Sequence, residues 1–340
     1  MLADSDHPIL LAGLAGAVLA YLAARFATAP LRSLLLRRDV MDRPNDRSSH
    51  AVPTPRGGGL VIVAAVALVW IAGAAFGLLP WAGLPGFLAL AALSFLDDLH
   101  GLSARLRFLL QFVAVAVGMA LLFGDALIFQ GLLPYWADRL AAGFLWLWFI
   151  NLFNFMDGID GIAAVETLCV GIGIAAVALF AAGGPGGELV LALTLAGGAL
   201  GFLAWNWSPA RIFMGDVGSV PIGYLLALLL FWLAADGSWL AAMILPLYFV
   251  ADATITLMRR LLRGERIWQA HRSHFYQHAA RALAAHAPVS RAVGLLNLLL
   301  IACALVTVWQ PAWALAAALV ALLATAGLLW RFARQSGRGG

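Results

Sequence analysis

Charge is what this sequence has least of. Only 11% of its 340 residues are charged and 63% are hydrophobic, against roughly 25% charged in a soluble domain. That excludes a soluble protein and reads as a polytopic membrane protein. Lysine is missing altogether: all 21 basic residues are arginine, set against 17 acids. The net charge of +4 therefore says less about a nucleic-acid partner than the placement of the arginines says about topology. Cysteine is nearly absent as well. Cys169 and Cys303 sit inside apolar runs, without partners at metal-site or disulfide spacing, so they read as small buried hydrophobes. There is no heptad run, no solenoid repeat and no soluble domain.

What fills the chain is apolar runs. Cutting at charge, Gly and Pro yields about eleven spans of about 16 to 22 residues. They lie near 8–29, 58–79, 80–96, 107–124, 139–156, 161–182, 188–205, 217–235, 239–258, 292–309 and 312–330. Asp4 and Asp6 precede the first run and Arg25, Arg32, Arg37 and Arg38 follow it, the reverse of a secretory signal. It is expected to be a first transmembrane helix with its N-terminus outside. The fold class expected is an all-α helix bundle, one membrane-embedded domain over 1–340 with a cytoplasmic C-terminus. Threading the spans puts 31–57, 97–106, 157–160, 206–216, 259–291 and the tail on one side. Every arginine but Arg139 falls there, so that face is expected to be cytoplasmic.

The polar motifs gather on the same face. Asn151 to Gly161 reads NLFNFMDGIDG, with Asn151, Asn154, Asp157 and Asp160 between two apolar runs. Charge at membrane depth costs roughly 2.5 to 3.5 kcal/mol per residue, so such acids need a polar cavity, an ion or the membrane surface. Asp157 and Asp160 are spaced i, i+3 and share a face if the helix continues through them. Phe95 to Arg107, FLDDLHGLSARLR, sets Asp97 beside Asp98, an adjacent pair that repels unless it serves a divalent cation or a general base. Arg105 and Arg107 follow and suit phosphate. Asn206 to Ser219, NWSPARIFMGDVGS, places Asp216 between glycines at a helix start, with Phe213 as a stacking surface for a base. Five acids on three loops of one face fit a hard Mg²⁺ held by one or two carboxylates plus substrate phosphates.

Three further segments leave alternatives open. Asp42 to Gly59, DRPNDRSSHAVPTPRGGG, offers Arg43, Arg47, His50, Arg56 and a glycine run whose amides could approach an anion; a basic linker on anionic lipid is the other reading. Asp252 lies inside the ninth span, either as a functional acid or as a hydrogen-bonded interior one. The loop after it carries Arg259, Arg260, Arg263 and Arg266, then WQAHRSHFYQHAAR. If helical, it brings His271, His274 and His278 to one face, suited to zinc or, better beside the acids, to a sugar pyrophosphate.

Taken together, DD followed by SAR at Asp97 to Arg105, NxxNxxDGIDG at Asn151 to Gly161, FMGDVGS at Phe213 to Ser219 and HRSHFYQ from His271 resemble one family, in order, spacing and side of the membrane. It is the polyprenyl-phosphate sugar-1-phosphate transferases of glycosyltransferase family 4, and the likeness covers roughly residues 42–280. The resemblance implies a ten- or eleven-helix bundle in the bacterial inner membrane with a cytoplasmic cleft. There a UDP-activated N-acetyl sugar and undecaprenyl phosphate meet over Mg²⁺, or Mn²⁺, giving undecaprenyl-diphosphate-sugar and UMP. By motif, Asp97 and Asp98 would activate the lipid phosphate, with Asp157 and Asp160 also catalytic, and Asp216 with Asp157 would hold the metal. Arg56, Arg105, Asn151, Asn154, Phe213, His271, Arg272 and His274 would bind substrate. A homodimer is a family-level expectation.

The chain departs from the peptidoglycan enzymes of that family, which carry a histidine run and a lysine near the DD pair; that argues against a muramyl-pentapeptide substrate. HRSHFYQ and RPNDRSSH look more similar to O-antigen initiators taking FucNAc or QuiNAc, with GlcNAc the competing donor. Two rivals remain. An ion-coupled transporter would also put carboxylates in a helix bundle, but near the midplane and with a two-half repeat. A CDP-alcohol phosphotransferase would want an AR pair after the DG and two more aspartates, which Ile162, Ala163, Ala164 and the apolar run beyond lack.

Overall fold

The computed structural model describes residues 6–44, 52–181, 184–266 and 271–336. Arg47 and His50 lie outside the described residues. What is described is a helix bundle. Its helices are α1 (Asp6–Arg37), α2 (Leu60–Ala75), α3 (Gly83–His100), α4 (Ala104–Leu122), α5 (Tyr135–Met156), α6 (Ile162–Phe180), α7 (Gly187–Asn206), α8 (Asp216–Leu233), α9 (Trp239–Ile244), α10 (Leu247–Leu262), α11 (Phe275–Leu283), α12 (Ala287–Trp309) and α13 (Ala314–Ser336). The strands β1 (Met41–Asp42) and β2 (Thr54–Pro55) pair antiparallel. Eight helical stretches among the described residues are long and apolar enough to cross a membrane. One of them runs from Asp216 to Ile244, although Gly237, at φ 94°, kinks it between α8 and α9.

The expected ninth span, 239–258, is not continuous. α9 stops at Ile244 and α10 restarts at Leu247, because Pro246 has no N–H to give and its ring crowds the preceding turn. Cys169 and Cys303 are buried free thiols, as read from the sequence.

α8 is the axis. It is buried almost throughout, and Tyr224 on it stacks on Trp146 of α5 with ring centroids 4.8 Å apart. α7 lies between α1 and α6 at close range: a Cβ on Gly197 or Gly201 would collide with the carbonyls of Ala17 and Tyr21 on α1. In lipid, where no hydrophobic drive joins helices, small residues four apart let backbones approach and gain dispersion. α6 and α12 are joined at Glu166, whose carboxyl accepts from Asn297 Nδ2 at 2.7 Å.

One end of this bundle carries the polar motifs. There the segment after β2 runs against the start of α8: the Gly57 and Gly58 N–H groups donate to Phe213 O and Gly59 N–H donates to Met214 O. The glycine amides are thus spent on backbone carbonyls rather than left for an anion, and the run is glycine for packing. A Cβ on Gly59 would collide with Gly218 Cα, backbone against backbone. Gly59→Ala is expected to destabilise the protein by about 1–3 kcal/mol, as overpacking does, read as a lower melting temperature in detergent.

Candidate active site

The site is built around the first turn of α8. Gly215 reaches it with φ 76°, a backbone that residues with a Cβ rarely adopt. A Cβ there would also meet Asp98 Oδ2 at 2.8 Å. Asp98 sits so close because it caps α8 from another helix: its carboxylate accepts from Asp216 N at 3.3 Å and Val217 N at 3.0 Å. The unpaired N–H groups and positive end of α8 favour that negative charge. Arg56 Nε pairs with the same carboxylate at 3.1 Å, leaving the Asp98 side chain 3% exposed.

Asp97 and Asp98 are adjacent acids that the fold keeps apart. Their side chains part, and each has its own arginine. Asp97 accepts from Leu102 N at 2.5 Å and from Arg107 at 2.8 Å. Arg107 also reaches Asp216 Oδ2 at 3.3 Å, so it ties the end of α3 to the start of α8. Of the two arginines in SARLR, Ser103 to Arg107, it is Arg107 that meets the acids. Arg105, two residues earlier and exposed, makes no ion pair among the described residues.

Asp157 and Asp160 do not share a helix face either. α5 ends at Met156 with Asp157 as its C-cap, and the DGIDG stretch turns, aided by Gly161 at φ 79°. Asp157 consequently faces the α8 acids. Burial, then the charges of Asp216, Asp98 and Asp160, push its carboxyl from 3.8 up to about 7. Among the described residues no hydrogen bond holds it. Asp160 points the other way, accepting from Ala210 N at 3.1 Å and pairing with His286 at 3.2 Å. Burial would raise its pKa, but the His286 hydrogen bond and charge, Ala210 N–H and Ser208 outweigh it and hold the carboxyl low. Asp160 therefore ties the loop before α8 to the start of α12.

The two amides serve helix packing. Asn151 donates to Gln111 Oε1 of α4 at 2.8 Å; Asn154 accepts from the Ser219 hydroxyl of α8. Phe213 lines a cavity of about 370 Å³ together with Thr54, Asp160, Ser208, Arg281 and His286.

The histidine loop differs from the one-face helix. α11 begins at Phe275 with His274 as its N-cap, and His271 precedes it outside any helix. The His271 and His274 rings stack at 4.9 Å, while His278 pairs with Arg281. Burial, then the charges of His274 and Arg260, lower His271 to about 4, so it is neutral near pH 7. Arg272 is exposed. The loop is held by Asp252, fully buried on α10. Its carboxylate accepts from Phe275 N and Tyr276 N, both at 3.1 Å, from Tyr248 Oη at 3.1 Å and Thr256 Oγ1 at 3.3 Å, and lies 3.2 Å from His274 Nδ1. Asp252 is thus a hydrogen-bonded interior acid whose work is to anchor HRSHFYQ.

Among the described residues, no three His, Cys, Asp or Glu side chains form a ready metal cage. That donor set fits Mg²⁺ better than zinc: Mg²⁺ takes one or two carboxylates and completes its shell with water and substrate phosphates. Asp216, 24% exposed, and the unpaired Asp157 are the carboxylates that could meet it.

Residues 80–234 match the model of glycosyl transferase family 4. The chain is 30% identical over 274 residues to a probable undecaprenyl-phosphate N-acetylglucosaminyl 1-phosphate transferase of Bacillus subtilis, covering 76% of this chain and 75% of the relative. It is 33% identical over 246 residues to a decaprenyl-phosphate N-acetylglucosaminephosphotransferase of Mycobacterium tuberculosis, covering 64% of this chain and 59% of that one. A phospho-N-acetylmuramoyl-pentapeptide-transferase of Heliobacterium modesticaldum is 30% identical over 264 residues, with 70% and 79% covered.

Proposed function

The chain belongs to glycosyl transferase family 4, the polyprenyl-phosphate sugar-1-phosphate transferases, and we propose that it moves an N-acetylhexosamine 1-phosphate from a UDP-sugar to undecaprenyl phosphate. An oxygen of the lipid phosphate attacks the phosphorus that bears the sugar. The bond from that phosphorus to the oxygen bridging to the uridine phosphate breaks, and UMP leaves. The observation carrying this reading is the convergence of Asp157, Asp216, Arg56 and Arg107 on the first turn of α8, with a cavity of about 370 Å³ lined by Phe213 and Asp160 at the same end of the bundle. A family assignment alone would not supply that chemistry.

Both reactants are anions, so charge must be neutralised before they meet. Mg²⁺, held by Asp216 and Asp157, would supply Lewis-acid charge stabilisation. Arg107 and Arg56 add fixed positive charge, and Asp97 and Asp98 position those two arginines. Asp157, its carboxyl raised to about 7 by burial and the neighbouring acids before a cation arrives, would be held ionised by Mg²⁺. The base lies on Phe213 in the 370 Å³ cavity, with Asp160 and His286 fixing its wall. Stacking of a base on an aromatic ring is worth about 1–3 kcal/mol, so Phe213→Ala is expected to raise KM for the UDP-sugar about tenfold while changing kcat far less.

The acid end faces the cytoplasm of a bacterial inner membrane, and the product starts a cell-surface polysaccharide such as O-antigen. GlcNAc is the sugar named for the Bacillus and mycobacterial relatives, whereas the HRSHFYQ loop favours a 6-deoxy donor. The test is UMP release by membranes given undecaprenyl phosphate and a panel of UDP-sugars: EDTA stops it and Mg²⁺ restores it. Equal use of the GlcNAc and 6-deoxy donors would remove the loop-based preference, and no metal-dependent UMP release with any donor would sink the reading.

A further inference from the structure

A second cationic cavity lies on another face of α11. It measures about 150 Å³ and is lined by Arg259, Arg260, Arg263, Ser273, Phe275 and His278, with α13 closing it at Ala333. The larger cavity uses Ala280 and Arg281 of the same helix and Ala284 just past its end, so the two open on different sides of it.

The polar groups here are mostly hydrogen-bond donors without an acid to meet them. Arg260 is paired with Glu265 at 3.0 Å. Arg259, stacked on the Phe275 ring at 4.8 Å, has no carboxylate partner among the described residues, and neither has Arg263. Like charges at i, i+4 on a helix repel, and the cost persists unless an anion sits between them. The surface beside them is apolar: Met258 is 50% exposed, Leu261 53% and Leu262 81%. Arginines alternating with bare aliphatic side chains on the last turns of an amphipathic helix suit the headgroup level of a bilayer.

We propose that this cavity binds the phosphate of an anionic phospholipid headgroup, the arginines taking the phosphate oxygens and the acyl chains lying along Met258, Leu261 and Leu262. Bound there, the lipid fastens α10, the histidine loop and α13 to one another beside the active site. Binding is read without turnover, so it stands or falls separately from the transferase reading.

The full chain, purified in neutral detergent, is titrated with short-chain phosphatidylglycerol, phosphatidylcholine, inorganic phosphate and undecaprenyl phosphate while its melting temperature is followed. Phosphatidylglycerol is expected to raise that temperature saturably, and phosphatidylcholine and inorganic phosphate at equal concentration to leave it unchanged. Arg259→Gln with Arg263→Gln is expected to weaken the phosphatidylglycerol response about 25-fold, about fivefold for each basic side chain near the surface. Unaltered affinity in the double variant overturns the proposal, as does an equal response to inorganic phosphate. A response confined to undecaprenyl phosphate and removed by the substitutions also overturns it, giving the cavity to the acceptor. Should the double variant misfold, Arg263→Gln alone carries the test with a loss of about fivefold.

Discussion

Asp216→Asn is expected to lower UMP release about 10³-fold, in the range seen when a preorganised charge-stabilising group is removed, while the melting temperature stays near that of the wild type. The separation of the two effects follows from the geometry. The first N–H groups of α8 are capped by Asp98, so the helix start does not depend on the Asp216 side chain. Binding of Mn²⁺, followed by its paramagnetic signal, is expected to weaken in parallel, which a merely misplaced substrate would not produce. Asp157→Asn is expected to lose activity as well but to gain stability. Its carboxyl, ordinarily at 3.8, rises to about 7 in the folded chain, so folding disfavours the ionised form. The cost is absent below about pH 4, grows as pH rises towards 7, and is fully present above it. With EDTA present to keep the site free of metal, the amide should therefore melt higher than the wild type at pH 8 and alike at pH 4. Equal melting temperatures at pH 8 would mean that the facing carboxylates do not strain the site, and near wild-type turnover in Asp216→Asn would displace the site from α8.

The spans could be read from the sequence because lipid leaves the backbone few choices: every N–H must be satisfied within the segment, and long apolar runs announce it. The ends of the helices carried far less signal. Asp157 and Asp160 have the spacing of one helical face, yet α5 stops between Met156 and Asp157 and the two acids part, one to the α8 acids and one to His286. The chain then turns into α6 through Gly161 in a left-handed conformation, its N–H donating to Asn206 Oδ1, a residue 45 positions away. Arg105 and Arg107 differ only in which side of α4 they occupy, and that is set by the Ser103 cap, whose hydroxyl accepts from Leu106 N. Gly57 to Gly59 offered a phosphate loop by composition; the carbonyls of Phe213 and Met214 take those amides instead. His286 had no motif around it, and only the return of α12 past the DGIDG turn brings it to Asp160. Local pattern thus named most of the residues at this end of the bundle, while long-range capping decided which way each one points.

Asp252 shows the same dependence on distance and yields the second large effect. Nothing near it in sequence distinguishes a functional acid from a structural one: Tyr248 and Thr256 meet it from within α10, but the contacts that give it its work come from His274, Phe275 and Tyr276, more than twenty residues on. Asp252→Ala is expected to destabilise the protein by about 3 kcal/mol or more, since each buried polar group left without its partner costs about 1–3 kcal/mol. The substitution strands the first two N–H groups of α11, two hydroxyls and the His274 ring in a site with no exposure. Asp252→Asn keeps the volume and can still accept, but its amide must turn a donor towards groups that are already donors, so an intermediate loss is expected. Thermal unfolding in detergent measures both. Trypsin distinguishes a local from a global effect: cleavage after Arg272 should accelerate in Asp252→Asn before the bundle melts, since Asp252 ties the segment just beyond that arginine to α10. UMP release should fall with the same substitution, because the loop bearing His271 and His274 loses its anchor while Asp216 keeps its pairing with Arg107. If Asp252→Asn left both the cleavage rate and the turnover unchanged, Asp252 would not be what holds that loop against the site.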